Sequence, residues 1–128
     1  MKTPNEGPEF KYEVVRLILS MNVEKALEML AQNYNVATPK FKIGLPKGHQ
    51  KNVYGCYTSK TQTISLLSSD FLNNAFVVLH EFYHHLRSKG VDQQHRGTEK
   101  NADKFAADFI AQYNIVAKTK TFQPYSSS

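Results

Sequence analysis

The chain has one cysteine, no tryptophan and no long apolar run. Because Cys56 is the single cysteine, an internal disulfide is excluded, as is typical of proteins kept in a reducing compartment. No apolar stretch reaches the length of a signal peptide or a transmembrane helix. These absences predict an intracellular, cytoplasmic protein that does not contact a membrane.

Several motifs of other protein classes are also missing. The sequence contains no Cys-x-x-Cys pair, no phosphate-binding glycine loop, no G-x-S-x-G nucleophile motif and no internal repeat. Their absence excludes the enzyme and repeat classes that these motifs define. Any catalytic chemistry must therefore come from another set of residues.

The charge balance is moderately basic, with sixteen lysines and arginines against eleven acidic residues and a formal charge of +5. This excess favours acidic partners, but it is spread too thinly to define a nucleic-acid site. One loop-rich region contains Lys47, His49, Lys51 and Lys60. It is either a phosphate-binding patch or an ordinary solvated loop. Nucleic acid is therefore a secondary hypothesis for a partner.

A length of 128 residues suits one domain, which at this size buries about two-thirds of the surface of its unfolded chain. Residues 1–8 and 122–128 show no apolar pattern, and we expect both ends to be mobile around a single domain at residues 9–121. Helical spacing over residues 9–34, interrupted near residues 20–22, predicts one kinked helix or two short helices.

The next part of the chain is rich in residues that favour strands. Residues 41–45 alternate apolar and other side chains, as a strand does. Residues 53–58 and 62–67 are separated by Ser59-Lys60-Thr61, which predicts an antiparallel hairpin. We therefore expect an α+β fold with N-terminal helical packing, a small, mostly antiparallel sheet and two later helices.

The residues His80-Glu81-Phe82-Tyr83-His84 form the pattern H-E-x-x-H within a segment of helical periodicity. Residues four apart on a helix are offset by about 40°, so both histidines can face one metal ion with Glu81 beside them. A serine or aspartate at positions 68–70 is a possible N-cap. The predicted core-facing stripe contains Leu72, Ala75, Phe76, Leu79, Phe82, Tyr83 and Leu86.

The pattern H-E-x-x-H also arises by chance, with its histidines in a core or on a surface. A third ligand is therefore needed to decide whether the motif binds a metal ion. Glu99 opens a second amphipathic segment, and Asp103 follows it by one helical turn. Alternatively, Glu99 only complements the positive end of its helix while Asp103 pairs with a neighbouring lysine.

Taken together, two histidines and a carboxylate leave a fourth position open, as catalytic zinc requires. We predict that His80, His84 and Glu99 bind one zinc ion. Asp103 is predicted to hold a ligating histidine from behind.

His80-Glu81-x-x-His84 followed by Glu99-x-x-x-Asp103 resembles the gluzincin metallopeptidases. In that family a downstream glutamate is the third zinc ligand, which implies this role for Glu99.

The run Glu99-x-x-Ala102-Asp103-x-Phe105-Ala106, with a hairpin before the H-E-x-x-H helix, is similar to the small ImmA/IrrE-type members. Those proteins usually carry asparagine at the position of Asp103, so the subfamily is left open. Small side chains at positions 102 and 106 suit close packing against another helix.

The resemblance covers roughly residues 40–113 and implies a minimal zincin-like domain with zinc-dependent endopeptidase activity on a peptide or a regulatory protein. Zinc would activate a water molecule, and Glu81 would take its proton as general base. Residues 64–67 are expected to border the cleft and pair with an extended substrate.

Other functions use the same residues. The chain could be a metal-stabilised regulatory or nucleic-acid-binding module without peptidase activity, and iron chemistry is a less favoured alternative. No residue is singled out as the donor that stabilises an oxyanion, since Tyr83, His85, His95 and Tyr113 are all candidates. His85 points about 100° away from His84, and we expect it at the surface or beside the site.

Overall fold

The computed structural model describes residues 3–47, 54–90 and 98–121. Four helices and three strands account for most of this part of the chain, which confirms the α+β class. In chain order they are α1 Pro8–Leu19, α2 Val23–Tyr34, β1 Lys40–Ile43, β2 Gly55–Thr58, β3 Thr63–Leu66, α3 Ala75–Ser88 and α4 Thr98–Thr121.

The predicted interruption near residues 20–22 separates two helices rather than kinking one. Met21 adopts a left-handed backbone with φ 67°, which ends the helical path after α1. Asn35 ends α2 in the same left-handed region with φ 59°, a conformation that asparagine tolerates better than most residues.

The N-terminal segment is attached to α2 within the part that the structure describes. The backbone N–H of Asn5 donates to Oδ1 of Asn33 at 2.8 Å, and Nδ2 of Asn33 donates back to the Asn5 carbonyl at 3.0 Å. Helix α1 already begins at Pro8. The chain therefore joins the domain before residue 9, and the predicted tail at 122–128 lies outside the described residues.

The sheet is mixed rather than mostly antiparallel. Strands β2 and β3 form the predicted antiparallel hairpin, whereas β1 pairs with β3 in parallel. The order is β1-β3-β2, and all four residues of β3 are buried, which suits the central position. Strand β2 runs opposite to both β1 and β3, so β1 and β3 run in the same direction. They pair in parallel because β3 lies between β1 and β2.

The core lies between the sheet and the helices, with α4 packed on both α1 and α3. Ala102 and Ala106 are fully buried, so small side chains let α4 approach its neighbours closely. Phe82 of α3 is fully buried, and Phe109 of α4 meets Phe10 of α1 edge to face at 6.2 Å. Among residues 3–47, 54–90 and 98–121, no helix is both long and apolar enough to span a membrane.

Helix α3 begins later than its sequence pattern indicates. Asn74 is the N-cap, and its Oδ1 accepts a hydrogen bond from the Val77 N–H at 3.1 Å. Ser68 instead caps a short 3₁₀ turn at Ser69–Phe71. The prediction of a cap for this helix at positions 68–70 is therefore wrong, because those residues form a separate turn.

One residue of the predicted core stripe lies elsewhere. Leu72 precedes the helix but still packs against the core, whereas Phe76 has 39% of its surface exposed. Phe76 lies one turn before His80, on the face of α3 that is turned away from the core. Apolar character alone did not distinguish these two faces.

His85 is fully buried, so the expectation that it lies at the surface is wrong. Its Nε2 donates to the Ala37 carbonyl at 2.7 Å, and its Nδ1 accepts from the Tyr57 hydroxyl at 2.7 Å. Burial lowers the pKa of His85, which favours the neutral ring that this pairing needs. The residue fastens α3 to β2 and to the loop after α2.

Replacing His85 with leucine should lower the free energy of unfolding by about 1–3 kcal/mol, because this buried side chain loses its hydrogen bonds to the Ala37 carbonyl and to the Tyr57 hydroxyl. Urea unfolding followed by circular dichroism measures the change. Tyr57→Phe is the matched control, with a smaller expected loss since it removes one hydroxyl and leaves the bond to Ala37 intact. An unfolding midpoint of His85→Leu equal to that of the wild type would show that the buried pairing does not stabilise the fold.

Candidate metal centre

Helices α3 and α4 bring the three predicted ligands together. His80 and His84 lie one turn apart on α3, and their Nε2 atoms are 3.3 Å from each other. Glu99, in the first turn of α4, places Oε1 3.1 Å from Nε2 of His80 and Oε2 3.0 Å from Nε2 of His84. Its carboxylate therefore contacts both imidazoles.

Asp103 lies one turn after Glu99, on the far side of the His80 ring. Its Oδ1 accepts a hydrogen bond from Nδ1 of His80 at 2.8 Å. With the proton on Nδ1, a neutral His80 has its lone pair on Nε2, facing Glu99 and His84. This is the position predicted for a residue that orients a ligating histidine.

The donor atoms fit a divalent cation. A lone pair on Nε2 of His80 faces a carboxylate oxygen and a second imidazole nitrogen, an arrangement that repels unless a proton or a cation lies between them. Burial lowers the pKa of His84, which disfavours the protonated ring. For tetrahedral zinc with bonds of about 2.0–2.1 Å, ligand atoms are about 3.3 Å apart. The observed separations of 3.0 to 3.3 Å are close to that value.

A metal ion could also be held by His80, Glu81 and His84, whose ligand atoms all lie within 4.8 Å of one another. Oε2 of Glu81 is 4.0 Å from Nε2 of His80, farther than the Glu99 oxygen at 3.1 Å. The geometry therefore favours Glu99 as the third ligand and leaves Glu81 free for another role.

Glu81 is buried beside the two histidines, with 6% of its surface exposed. Burial raises the pKa of Glu81 to about 7; a positive charge on a protonated His80 would oppose this shift, and the negative charge of Glu99 adds to it. A carboxyl group that titrates near neutrality can both accept and return a proton. A bound cation would lower this pKa and favour the carboxylate.

A cleft of about 460 Å³ opens next to these residues and contacts His80, Glu81, Glu99 and Asp103. Sequence patterns did not indicate its other walls, although Asn74 has the residue type of an N-cap and residue 54 lies within the strand predicted at residues 53–58. These further lining residues are Tyr54, Gly55, Asn74, Phe76 and Val77.

The strand beside the cleft is β2, and the expectation that residues 64–67 border it as a free edge is wrong. Both sides of β3 are paired, with β1 and with β2, so a substrate cannot add to it. Strand β2 is one of the two outer strands of the described sheet, and its Gly55 lines the cleft. A Cβ added at Gly55 would lie 3.0 Å from Cγ1 of Val77 and 3.1 Å from the Ser65 carbonyl, so glycine permits the close approach of β2 to α3.

The candidate oxyanion donors that the structure describes do not line the cleft. Tyr83 is buried, with its ring centroid 5.5 Å from that of Phe105, and Tyr113 stacks on Tyr12 at 5.1 Å. His85 is buried in the pairing described above. Tyr54, which no motif singled out, is the tyrosine that lines the cleft, and it is 54% exposed.

Some sequence predictions fall on residues that the structure does not describe. His49 and Lys51 of the basic loop lie within residues 48–53, and His95 lies within residues 91–97. Cys56, by contrast, is described: it is buried, and burial raises the pKa of its thiol. A protonated thiol is a poor metal ligand, in agreement with its omission from the predicted ligand set.

Comparison of the chain with protein-family models, with curated proteins and with solved structures finds no match. The gluzincin resemblance therefore depends on the motif, and the local geometry of the site is independent support for a metal centre.

Proposed function

We propose that this protein is a zinc-dependent endopeptidase. The observation that carries the proposal is the contact of the Glu99 carboxylate with both His80 and His84, at 3.1 and 3.0 Å. If the H-E-x-x-H motif had arisen by chance on a surface helix, its histidines would not be expected to contact a carboxylate from a second helix. The opening of a cleft next to this contact supports a catalytic role over a purely structural one.

The donor set of two imidazole nitrogens and one carboxylate favours zinc among the common metal ions. When bound, zinc would polarise the scissile carbonyl and lower the pKa of water toward about 7. Asp103 would keep the Nε2 lone pair of His80 directed at the ion. This assignment gives a role to each polar side chain of the group formed by His80, His84, Glu99 and Asp103.

Glu81 would act as general base and then as general acid. It lies beside the ligands without needing to bind the metal, and its burial keeps it from being fully solvated. It would take a proton from the attacking water and return it to the leaving amine. Its raised pKa is compatible with this return.

The substrate would be an extended segment of a protein or peptide. Strand β2 is the outer strand of the sheet beside the cleft, and its backbone could pair with such a segment irrespective of sequence. A cytoplasmic regulatory protein is the substrate class that the family resemblance suggests.

The proposal is tested by metal analysis of protein purified without added ions, together with a peptide-library cleavage assay. We expect about one zinc ion per chain, as a single catalytic site requires. Cleavage should stop after treatment with a chelator and return when zinc is restored. Zinc binding without any cleavage would favour the metal-stabilised regulatory module instead.

Removing the carboxylate behind His80 should weaken metal binding without abolishing it. Asp103→Ala leaves Nδ1 of His80 without its partner, and we expect about 10- to 100-fold weaker zinc binding by competition with a chromophoric chelator. Asp103→Asn keeps an oxygen acceptor and should lose less. Equal zinc affinity in Asp103→Ala and the wild type would show that this contact does not orient the ligand.

A further inference from the structure

Phe76 lies in the first turn of α3, at the border of the cleft. It lies one turn before His80, and the centroids of the two rings are 6.2 Å apart. With 39% of its surface exposed, it does not contribute fully to the core. Its ring instead forms part of the wall of the cleft beside the metal centre.

A second cavity, of about 380 Å³, lies on the other side of Phe76. Asn74 and Phe76 line both this second cavity and the cleft, so the two spaces adjoin each other at the first turn of α3. The remaining walls come from α1, from α4 and from the turn before α3. Leu19 and Ile110 contribute apolar surface to these walls, and Asp70, Asn73, Asn114 and Tyr113 contribute polar groups.

We propose that Phe76 is a specificity-determining residue and that the second cavity receives a large apolar side chain of the peptide substrate. This inference rests on the proposed peptidase function, since it places the substrate backbone in the cleft. A side chain close to the scissile bond then passes Phe76 to reach the second cavity. Phe76 contacts that side chain and selects for it.

The chemistry of the walls determines which side chain fits. Burying a leucine or phenylalanine side chain against Leu19, Ile110 and Phe76 removes apolar surface from water. An acidic side chain would be repelled by the carboxylate of Asp70, which also lines the second cavity. A serine would leave most of the space unfilled. The second cavity therefore favours large apolar side chains over small or acidic ones.

Binding can be measured separately from catalysis with the Glu81→Gln variant, which retains all three proposed ligands. The probes are fluorescein-labelled hexapeptides of glycine and alanine with one central leucine, phenylalanine, serine, aspartate or lysine. Fluorescence anisotropy on zinc-loaded protein should show leucine and phenylalanine peptides binding about tenfold or more tightly than the serine peptide. Equal affinities across the set, or a preference for the lysine peptide, would overturn the inference.

Leu19→Lys in the same background tests whether the second cavity is responsible. Leu19 is 43% exposed and lines the second cavity but not the cleft, so the change places a charge there and leaves the metal centre intact. We expect the preference for apolar peptides to fall by about tenfold. Met21→Lys is the matched control, because Met21 is 57% exposed two residues further along and lines neither space.

Phe76→Ala should also reduce the apolar preference, by opening the wall between the two spaces. An unchanged preference in both Leu19→Lys and Phe76→Ala would refute the assignment. Failure of the peptidase function looks different: the wild type would hydrolyse none of the peptides, while the apolar preference in binding and its loss in Leu19→Lys would persist.

Discussion

Replacing Glu81 with glutamine should abolish peptide hydrolysis while zinc binding is retained. Glutamine has nearly the same shape as glutamate but cannot accept a proton, so only the general base is removed. The loss of rate should be about 10²- to 10⁴-fold, the usual contribution of a positioned acid or base. Cleavage of a quenched fluorescent peptide measures the rate, and metal analysis of the same sample measures occupancy.

Glu28→Gln is a suitable control, because it makes the same chemical change on the exposed surface of α2. It should leave both rate and zinc content at wild-type values. Undiminished hydrolysis by Glu81→Gln would remove this residue from the mechanism. A large loss of zinc in Glu81→Gln would instead assign Glu81 to the metal, as in the cluster of His80, Glu81 and His84.

Alanine at His80, His84 or Glu99 should remove the metal itself. Each change deletes one of three proposed ligands, so we expect zinc affinity to fall by more than the roughly 100-fold that loss of a residue supporting a ligand can cause. Zinc content after dialysis measures this directly. The rise in melting temperature that zinc produces in the wild type should also disappear, since ligand binding stabilises only a protein that retains the site.

The Glu99→Ala variant is the most informative of the three, because Glu99 is the ligand that the H-E-x-x-H motif does not contain. Lys100→Ala, at the exposed neighbouring position of α4, is its control and should bind zinc normally. Wild-type zinc content in Glu99→Ala would exclude the gluzincin-like ligand set. Hydrolysis by His84→Ala at the wild-type rate would exclude metal catalysis at this centre.

Much of the secondary structure followed from local patterns. The break between α1 and α2, the hairpin of β2 and β3, and a helix carrying His80 and His84 are all where the periodicity of apolar residues predicts them. Such patterns are informative because side-chain direction repeats every 3.6 residues in a helix and every two in a strand. Neither period depends on the rest of the fold.

Other features could not be predicted in this way. The parallel pairing of β1 with β3 depends on which strand is central, and a short strand carries no signal of its neighbours. The burial of His85 depends on the Ala37 carbonyl, 48 residues away in sequence. Phe76 was assigned to the core because an apolar side chain beside a cleft has the same residue type as one in a core.

The sequence by itself determined that His80 and His84 share one face of a helix, because a separation of four residues has this result in any α-helix. Only the tertiary structure decided that Glu99 would contact both rings. That contact requires α4 to pack against α3, which depends on the fully buried Ala102 and Ala106 and on the route of the chain between the two helices. Local spacing sets the direction of a side chain, whereas the meeting of ligands from two helices depends on the packing of the whole domain.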